Sequence, residues 1–184
     1  MILRTMTLAT LIAATAFTAP ATAQQMPSVQ RIERMLDEEP ELKIRPEKKV
    51  TVREFKRRPE FRRAAPSIDI QAINFAYNSA VIPPSQYQKV EIIADALDRL
   101  LERRSDAVVL IEGHSDAVGS RAYNYELSDA RARSLKRMLA RDFGIPPYAM
   151  ETVGYGEDYL LVPTQNEEWR NRRVTLRRID DFLR

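Results

Sequence analysis

A chain of 184 residues with 29 Lys and Arg against 26 Asp and Glu carries a formal net charge of +3, and 44 % of it is hydrophobic, enough for one folded domain with a modest extension. Cysteine is absent and histidine occurs once, which excludes a disulfide framework, a lipid-modified cysteine and any Cys/His zinc site. The charge is uneven: 24–66 holds 12 basic and 8 acidic residues, whereas 67–184 holds 16 and 18, so the basic character belongs to the N-terminal segment.

The chain opens with Arg4, an apolar run over Met6–Phe17 and the small-residue site Ala21-Thr22-Ala23, which predicts a signal peptide over 1–23 cleaved before Gln24. The alternative, a retained anchor, is opposed by the length of the run, since a bilayer span needs ~20 residues. Prolines at 27, 40, 46, 59 and 66 then punctuate a basic segment that reads as a flexible arm over 24–66. Val29, Ile32, Met35 and Leu36 mark two turns of amphipathic helix, marginal in isolation. Lys43–Arg63 carries ten basic and three acidic residues. It reads as a solvated linker or as an electrostatic tether to an anionic glycan, lipid or envelope protein. No aromatic interleaving supports a nucleic-acid partner.

A folded domain over 67–184 begins with alternating Ile68, Ile70 and Ala72, after which the phase slips to Ile73, Phe75 and Tyr77, as in a strand with a bulge near Ala72. Pro83-Pro84-Ser85 opens a helix to about Arg104, with the stripe Tyr87, Val90, Ile93, Ala94, Leu97, Leu100 and Leu101. Ala107–Ile111 is the apolar run of a strand buried on both faces. A second helix spans about Ser120 to Phe143 and stops at Gly144. Ala149–Val153 and Arg173–Ile179 are the last strands, the final one with Val174 and Leu176 inward and Arg173, Thr175 and Arg177 outward. Strand and helix alternate, so the fold class is α/β, with helices covering a sheet.

The densest motif is IEGHSDAVGSRAYNYELSDARARSL over Ile111–Leu135, in which Gly113, His114, Ser115, Asp116, Gly119, Asn124, Leu127, Ser128, Arg131 and Ala132 keep a fixed spacing. Gly154-Tyr155-Gly156-Glu157 and Asn171-Arg172-Arg173-Val174 follow. These three blocks resemble the OmpA C-terminal-like (OmpA/Pal/MotB-type) peptidoglycan-binding domain, over about Ile68 to Ile179. The resemblance implies a βαβαββ two-layer sandwich with a mixed sheet and two main helices; strand order is not readable. It further implies a non-catalytic periplasmic protein, cell-wall associated and in some relatives at the outer membrane, that grips the diaminopimelate of peptidoglycan stems and anchors or links envelope components. Asp116 and Arg131 are the residues that the resemblance assigns to diaminopimelate. Asn78 stands where the family usually has aspartate. A barrel form is not expected, since 24–66 is too short for eight strands of ~9–11 residues.

Chemistry gives that assignment sense. The side-chain end of meso-diaminopimelate is a zwitterion, and its receptor needs an anion and a guanidinium a few ångströms apart. Taken without the motif, Asp116 and Arg131 equally describe a structural loop-to-helix salt bridge. Gly113 and Gly119 read as positions of tight backbone and close ligand approach, and His114 as a buried imidazole pinning the loop, because no nucleophile motif accompanies it. Asn124 is a secondary candidate, and so are Arg172 and Arg173, of which one pairs with carboxylates and the other extends a basic rim. Trp169 reads as a lid on the core or a sugar platform. No cofactor or metal is called for. An envelope protein-interaction module with a secondary wall site is the competing function. A wall hydrolase comes last, because no pair of carboxylates flanking one pocket is visible.

Overall fold

The computed structural model describes residues 25–71, 73–75 and 78–184, so the signal peptide expected over 1–23 and the phase slip expected at Ala72 lie outside the described residues. Helix α1 (Val29–Asp37) is followed by two short helices, α2 (Val52–Phe55) and α3 (Pro59–Ala64). Strand β1 (Ser67–Ile70) leads through an irregular stretch to α4 (Tyr87–Arg103), β2 (Val109–His114), α5 (Arg121–Phe143), β3 (Met150–Gly156) and β4 (Val174–Arg178). The βαβαββ order expected for the domain is present. The sheet runs β1-β4-β2-β3: β2 and β3 are parallel across the α5 crossover, and β4 is antiparallel to both β1 and β2. Among the described residues no helix is long and apolar enough to cross a membrane.

One sheet face packs on α1, α4 and α5. Ile68, Ile70, Val109, Ile111, Val174 and Leu176 point to it from alternate strand positions, and the α4 stripe of Val90, Ile93, Ala94, Leu97 and Leu100 closes over them. Helix α5 lies unusually close: a Cβ at Gly113 would sit 2.1 Å from the Ser128 carbonyl oxygen, and one at Gly154 2.3 Å from the Asp129 nitrogen. Gly113 therefore allows the tight backbone packing expected of it. Ser120 caps α5 by accepting from the Tyr123 amide, and Gly144, at φ +72°, ends it.

The flexible arm is not what the structure contains. Ile32 and Leu36 of α1 are fully buried in the main core, each contributing about 1.5–3 kcal/mol by loss of exposed apolar area. The rest of the segment covers the second sheet face, where Val50, Phe55, Phe61 and Ala64 pack with Leu110, Val153, Tyr155, Ile179 and Phe182. Two of the prolines read as breakers, Pro46 and Pro59, begin helical turns, and Thr51 with Glu54 forms a full capping box at α2. Two cations of the basic run turn inward, Lys56 to Glu151 at 3.1 Å and Arg62 to Glu112 at 2.7 Å. Arg45, Lys48, Arg53, Arg57 and Arg63 stay exposed.

This cover also corrects the reading of β4. Arg173, Thr175 and Arg177 were expected to point to solvent, yet all three are buried, because the sheet has protein on both faces. Arg177 donates to Glu112 and to the Ala65 carbonyl, which fastens the end of α3 to the sheet.

Candidate functional site

The β2–α5 connection, Ser115–Ser120, is built to hold one carboxylate in place. Gly119 takes φ +102°, a left-handed conformation that favours glycine, and the Ser115 amide donates to the Gly156 carbonyl at 2.9 Å. Asp116, 7 % exposed, accepts from the Val118 amide at 3.3 Å through Oδ1 and from Arg172 at 2.7 Å through Oδ2. Its backbone carbonyl accepts from Ser115 Oγ and from the Asn124 amide group, which also donates to Glu157. Ser128 Oγ accepts from the Gly156 amide, tying α5 to the end of β3.

Arg131 enters the same place from one turn further along α5. Its Nε donates to the Ser79 carbonyl at 3.0 Å, and the guanidinium lies 4.9 Å from the centre of the Phe75 ring. Among the described residues no carboxylate is within ion-pair distance of it, so the Asp116–Arg131 salt bridge does not form. Burial holds the Arg131 pKa below its usual value, though a guanidinium remains charged throughout the physiological range. A desolvated cation without an anion beside it is costly unless something supplies one.

Asp116, Asn124, Arg131 and Arg172 line one cleft of about 590 Å³, together with Phe75, Asn78, Gly119, Tyr123 and Glu167. Asp116 and Glu167 balance Arg131 and Arg172, so the cleft suits a ligand bearing one charge of each sign. A carboxylate offers about four lone-pair positions, so Asp116 can take an ammonium while keeping the Val118 and Arg172 contacts. Phe75, Tyr123 and Glu167 are not among the site residues expected from the sequence. Asn78, noted there as a departure, takes a positive φ of 52° and accepts from the Tyr123 hydroxyl.

The two arginines of the NRRV block separate. Arg172 bridges Asp116 and Glu167 at the cleft. Arg173 does not reach it: its Nε lies 3.2 Å from Asp69, and it donates to the carbonyls of Asn171 and Tyr159. It lines a neighbouring cavity of about 200 Å³ with His114, Arg131 and Arg172. His114 is buried, stacked on Tyr155 with ring centres 5.9 Å apart, and its Nε2 is 3.5 Å from Glu112. Burial pushes its pKa down to about 4, which keeps the imidazole neutral at physiological pH. Trp169 is 39 % exposed, so it is no lid, and Arg170 pairs with Glu168 away from the cleft.

The family model described as the OmpA family matches residues 74–174. The chain is 34 % identical over 104 residues to outer membrane porin F of Pseudomonas fluorescens, covering 55 % of this chain and 30 % of the porin. It is 32 % identical over 111 residues to the peptidoglycan-associated lipoprotein of Pseudomonas aeruginosa, covering 59 % of this chain and 62 % of that protein. The chain thus spans less than two thirds of either relative. Among solved structures it is similar to the cell wall anchor of the T6SS from Pseudomonas aeruginosa, with TM-score 0.50, 25 % identity, and 71 % and 97 % of the two chains covered. The periplasmic domain of Helicobacter pylori MotB shares the fold at TM-score 0.50 and 20 % identity, over 61 % of this chain and 73 % of that one.

Proposed function

This chain belongs to the OmpA family, and from that premise we propose that it is a non-catalytic, periplasmic cell-wall-binding protein that grips the diaminopimelate of peptidoglycan stems. The observation that carries the reading is the cleft: Arg131 stands in it partly desolvated and without a carboxylate, and Asp116 is held in it by the loop, the Val118 amide and Arg172. The ammonium of the diaminopimelate side-chain end goes to Asp116, and its carboxylate to the free edge of Arg131. Tyr123 and Phe75 give the methylene stem an apolar wall.

The similarity to a peptidoglycan-associated lipoprotein and to a cell wall anchor supports the same substrate. Charge-assisted hydrogen bonds contribute ~1.5–3 kcal/mol each, which makes single-site affinity micromolar to millimolar, and a repeating polymer compensates through rebinding. The exposed cations of 43–63 remain available to an anionic envelope surface or partner.

The test is co-sedimentation of the protein with purified sacculi, competed by a stem tetrapeptide carrying meso-diaminopimelate and, as control, by the same tetrapeptide carrying lysine, whose side chain ends in an ammonium without a carboxylate. Displacement by the first and not the second is expected. Equal displacement by both would refute a zwitterion-reading site, and released muropeptides would refute the non-catalytic assignment.

A further inference from the structure

A second open cleft, about 830 Å³ and larger than the one at Asp116, lies further along α5. Four cations line it, Arg133, Lys136, Arg137 and Arg141, and no acidic residue does. Val81, Ile82, Met138, Ala140 and Pro147 supply its apolar surface, with Val81 72 % exposed.

Two observations join this cleft to the first. Tyr123, Leu127, Arg131, Ser134, Met138 and Arg141 succeed one another at spacings of three and four residues, so they share one face of α5. The first three line the Asp116 cleft and the last three the second. The segment 78–82 does the same: Asn78 lines the first cleft, the Ser79 carbonyl holds Arg131, and Val81 and Ile82 line the second. At a helical rise of ~1.5 Å per residue, Arg137 and Arg141 lie about 9 and 15 Å beyond Arg131 along the axis, a span comparable to a disaccharide.

The cations are also unevenly neutralised. Arg133 pairs with Asp129 and Arg141 with Asp142. Lys136 instead donates to the Met150 carbonyl and Arg137 to Ser134 Oγ, and among the described residues neither has a carboxylate within ion-pair distance. Solvation alone accounts for cations on a helix surface. It does not account for a cleft with apolar walls and no acidic lining residue, set on the same helix face and against the same 78–82 segment as the first site.

We infer that this cleft is a second subsite for the same polymer, which rests on the peptidoglycan reading of the Asp116 cleft. It receives the disaccharide-peptide unit next to the one whose stem is gripped. Arg137, Lys136 and Arg141 take the carboxylates of that neighbouring stem, and Val81 and Met138 face the apolar sides of its sugars. Binding then depends on the length of the glycan fragment and not only on the stem.

The experiment titrates the full exported chain, by calorimetry, with a one-unit disaccharide-tetrapeptide and with an uncrosslinked two-unit fragment. Wild type should favour the longer fragment by about tenfold, beyond the twofold statistical advantage of two stems, and raised salt should shrink the margin. The R137E/R141E variant, whose altered side chains are exposed and whose thermal midpoint should not move, should lose the margin and keep its affinity for the short fragment. R137K/R141K should retain most of it. An unchanged margin in the charge-reversed variant, or no margin in wild type, overturns the inference while leaving the Asp116 site intact. Failure of wild type to bind even the one-unit fragment removes the peptidoglycan reading, and this inference with it.

Discussion

At the scale of single residues the cleft makes two predictions. Asp116→Ala removes the anion for the ligand ammonium but leaves Arg172 paired with Glu167, so the fold should survive. Affinity for a diaminopimelate-containing fragment should fall about 10- to 100-fold, the loss of one charge-assisted hydrogen bond. Wild-type affinity in that variant would reduce Asp116 to a brace for Arg172. Arg131→Lys keeps the charge and loses the planar fork, including the Nε donor to Ser79, so binding should weaken by a similar factor; undiminished affinity would mean that Arg131 acts only as diffuse charge. A third prediction concerns the buried pair beside the site. Burial alone would raise the Glu112 carboxyl, but contact with His114 and the charges of Arg177 and Arg62 hold it down to about 2. Burial holds His114 near 4. Both folded-state values lie below the unfolded ones, so stability is complete above about pH 6.5 and falls as pH drops, first as the unfolded chain takes up the His114 proton, then as Glu112 protonates. His114→Gln should flatten the slope of unfolding free energy between pH 6.5 and 4, by up to about 3 kcal/mol across that window. Urea titrations of both proteins at pH 4.5 and 7 measure it, and parallel slopes would show that His114 does not set the acid limit.

At the scale of elements, what could be read from the sequence follows how local each determinant is. The α4 stripe, the Ser120 cap and the Gly144 stop are written within a few residues of the elements they define, and the structure places α4 and α5 close to the expected bounds. The Asp116–Arg131 constellation was legible only through the three spaced motif blocks, because the groups that hold the two side chains, Arg172 and the Ser79 carbonyl, come from distant segments. Residues 25–66 were misread for the same reason. Their apolar residues are sparse, and the surfaces that bury them belong to α4 and β1 for α1, and to β2, β3 and the chain's last turn for the rest. The Thr-Val-Arg-Glu box over 51–54 was the local signal for α2. Helix α1 supplies the direct check. Leu36→Ala should destabilise the protein by about 2–5 kcal/mol, the range for truncating a fully buried leucine, measured by denaturant unfolding. A change below ~0.5 kcal/mol, the usual effect of a surface substitution, would restore the free arm.

At the scale of the whole molecule the charge asymmetry acquires an internal use. The basic N-terminal segment lies on a domain with an acidic surplus, and pairs cross between them in both directions: Lys56 and Arg62 reach Glu151 and Glu112, while Arg104 reaches back to Asp37. The pairs differ in exposure. Arg62–Glu112 is nearly closed to solvent, whereas Lys56–Glu151 and Arg104–Asp37 are partly open and subject to screening, which acts beyond ~8 Å at physiological ionic strength. Apolar contact does most of the fastening, since Phe55, Phe61 and Phe182 meet at ring distances of 5.4–6.4 Å in a core that salt does not weaken. A segment held in this way unfolds with the domain. Hydrogen exchange should therefore find the Phe55, Arg62 and Ala65 amides, bonded to the Thr51, Arg58 and Phe61 carbonyls, opening with nearly the global unfolding free energy. Raising salt from 0.1 to 1 M (about 10 to 3 Å in screening length) should shift that free energy by less than about 1 kcal/mol, because only the exposed pairs respond. Exchange of those three amides within seconds, or their loss of protection in high salt alone, would return the segment to an electrostatic tether and leave the second face of the sheet uncovered.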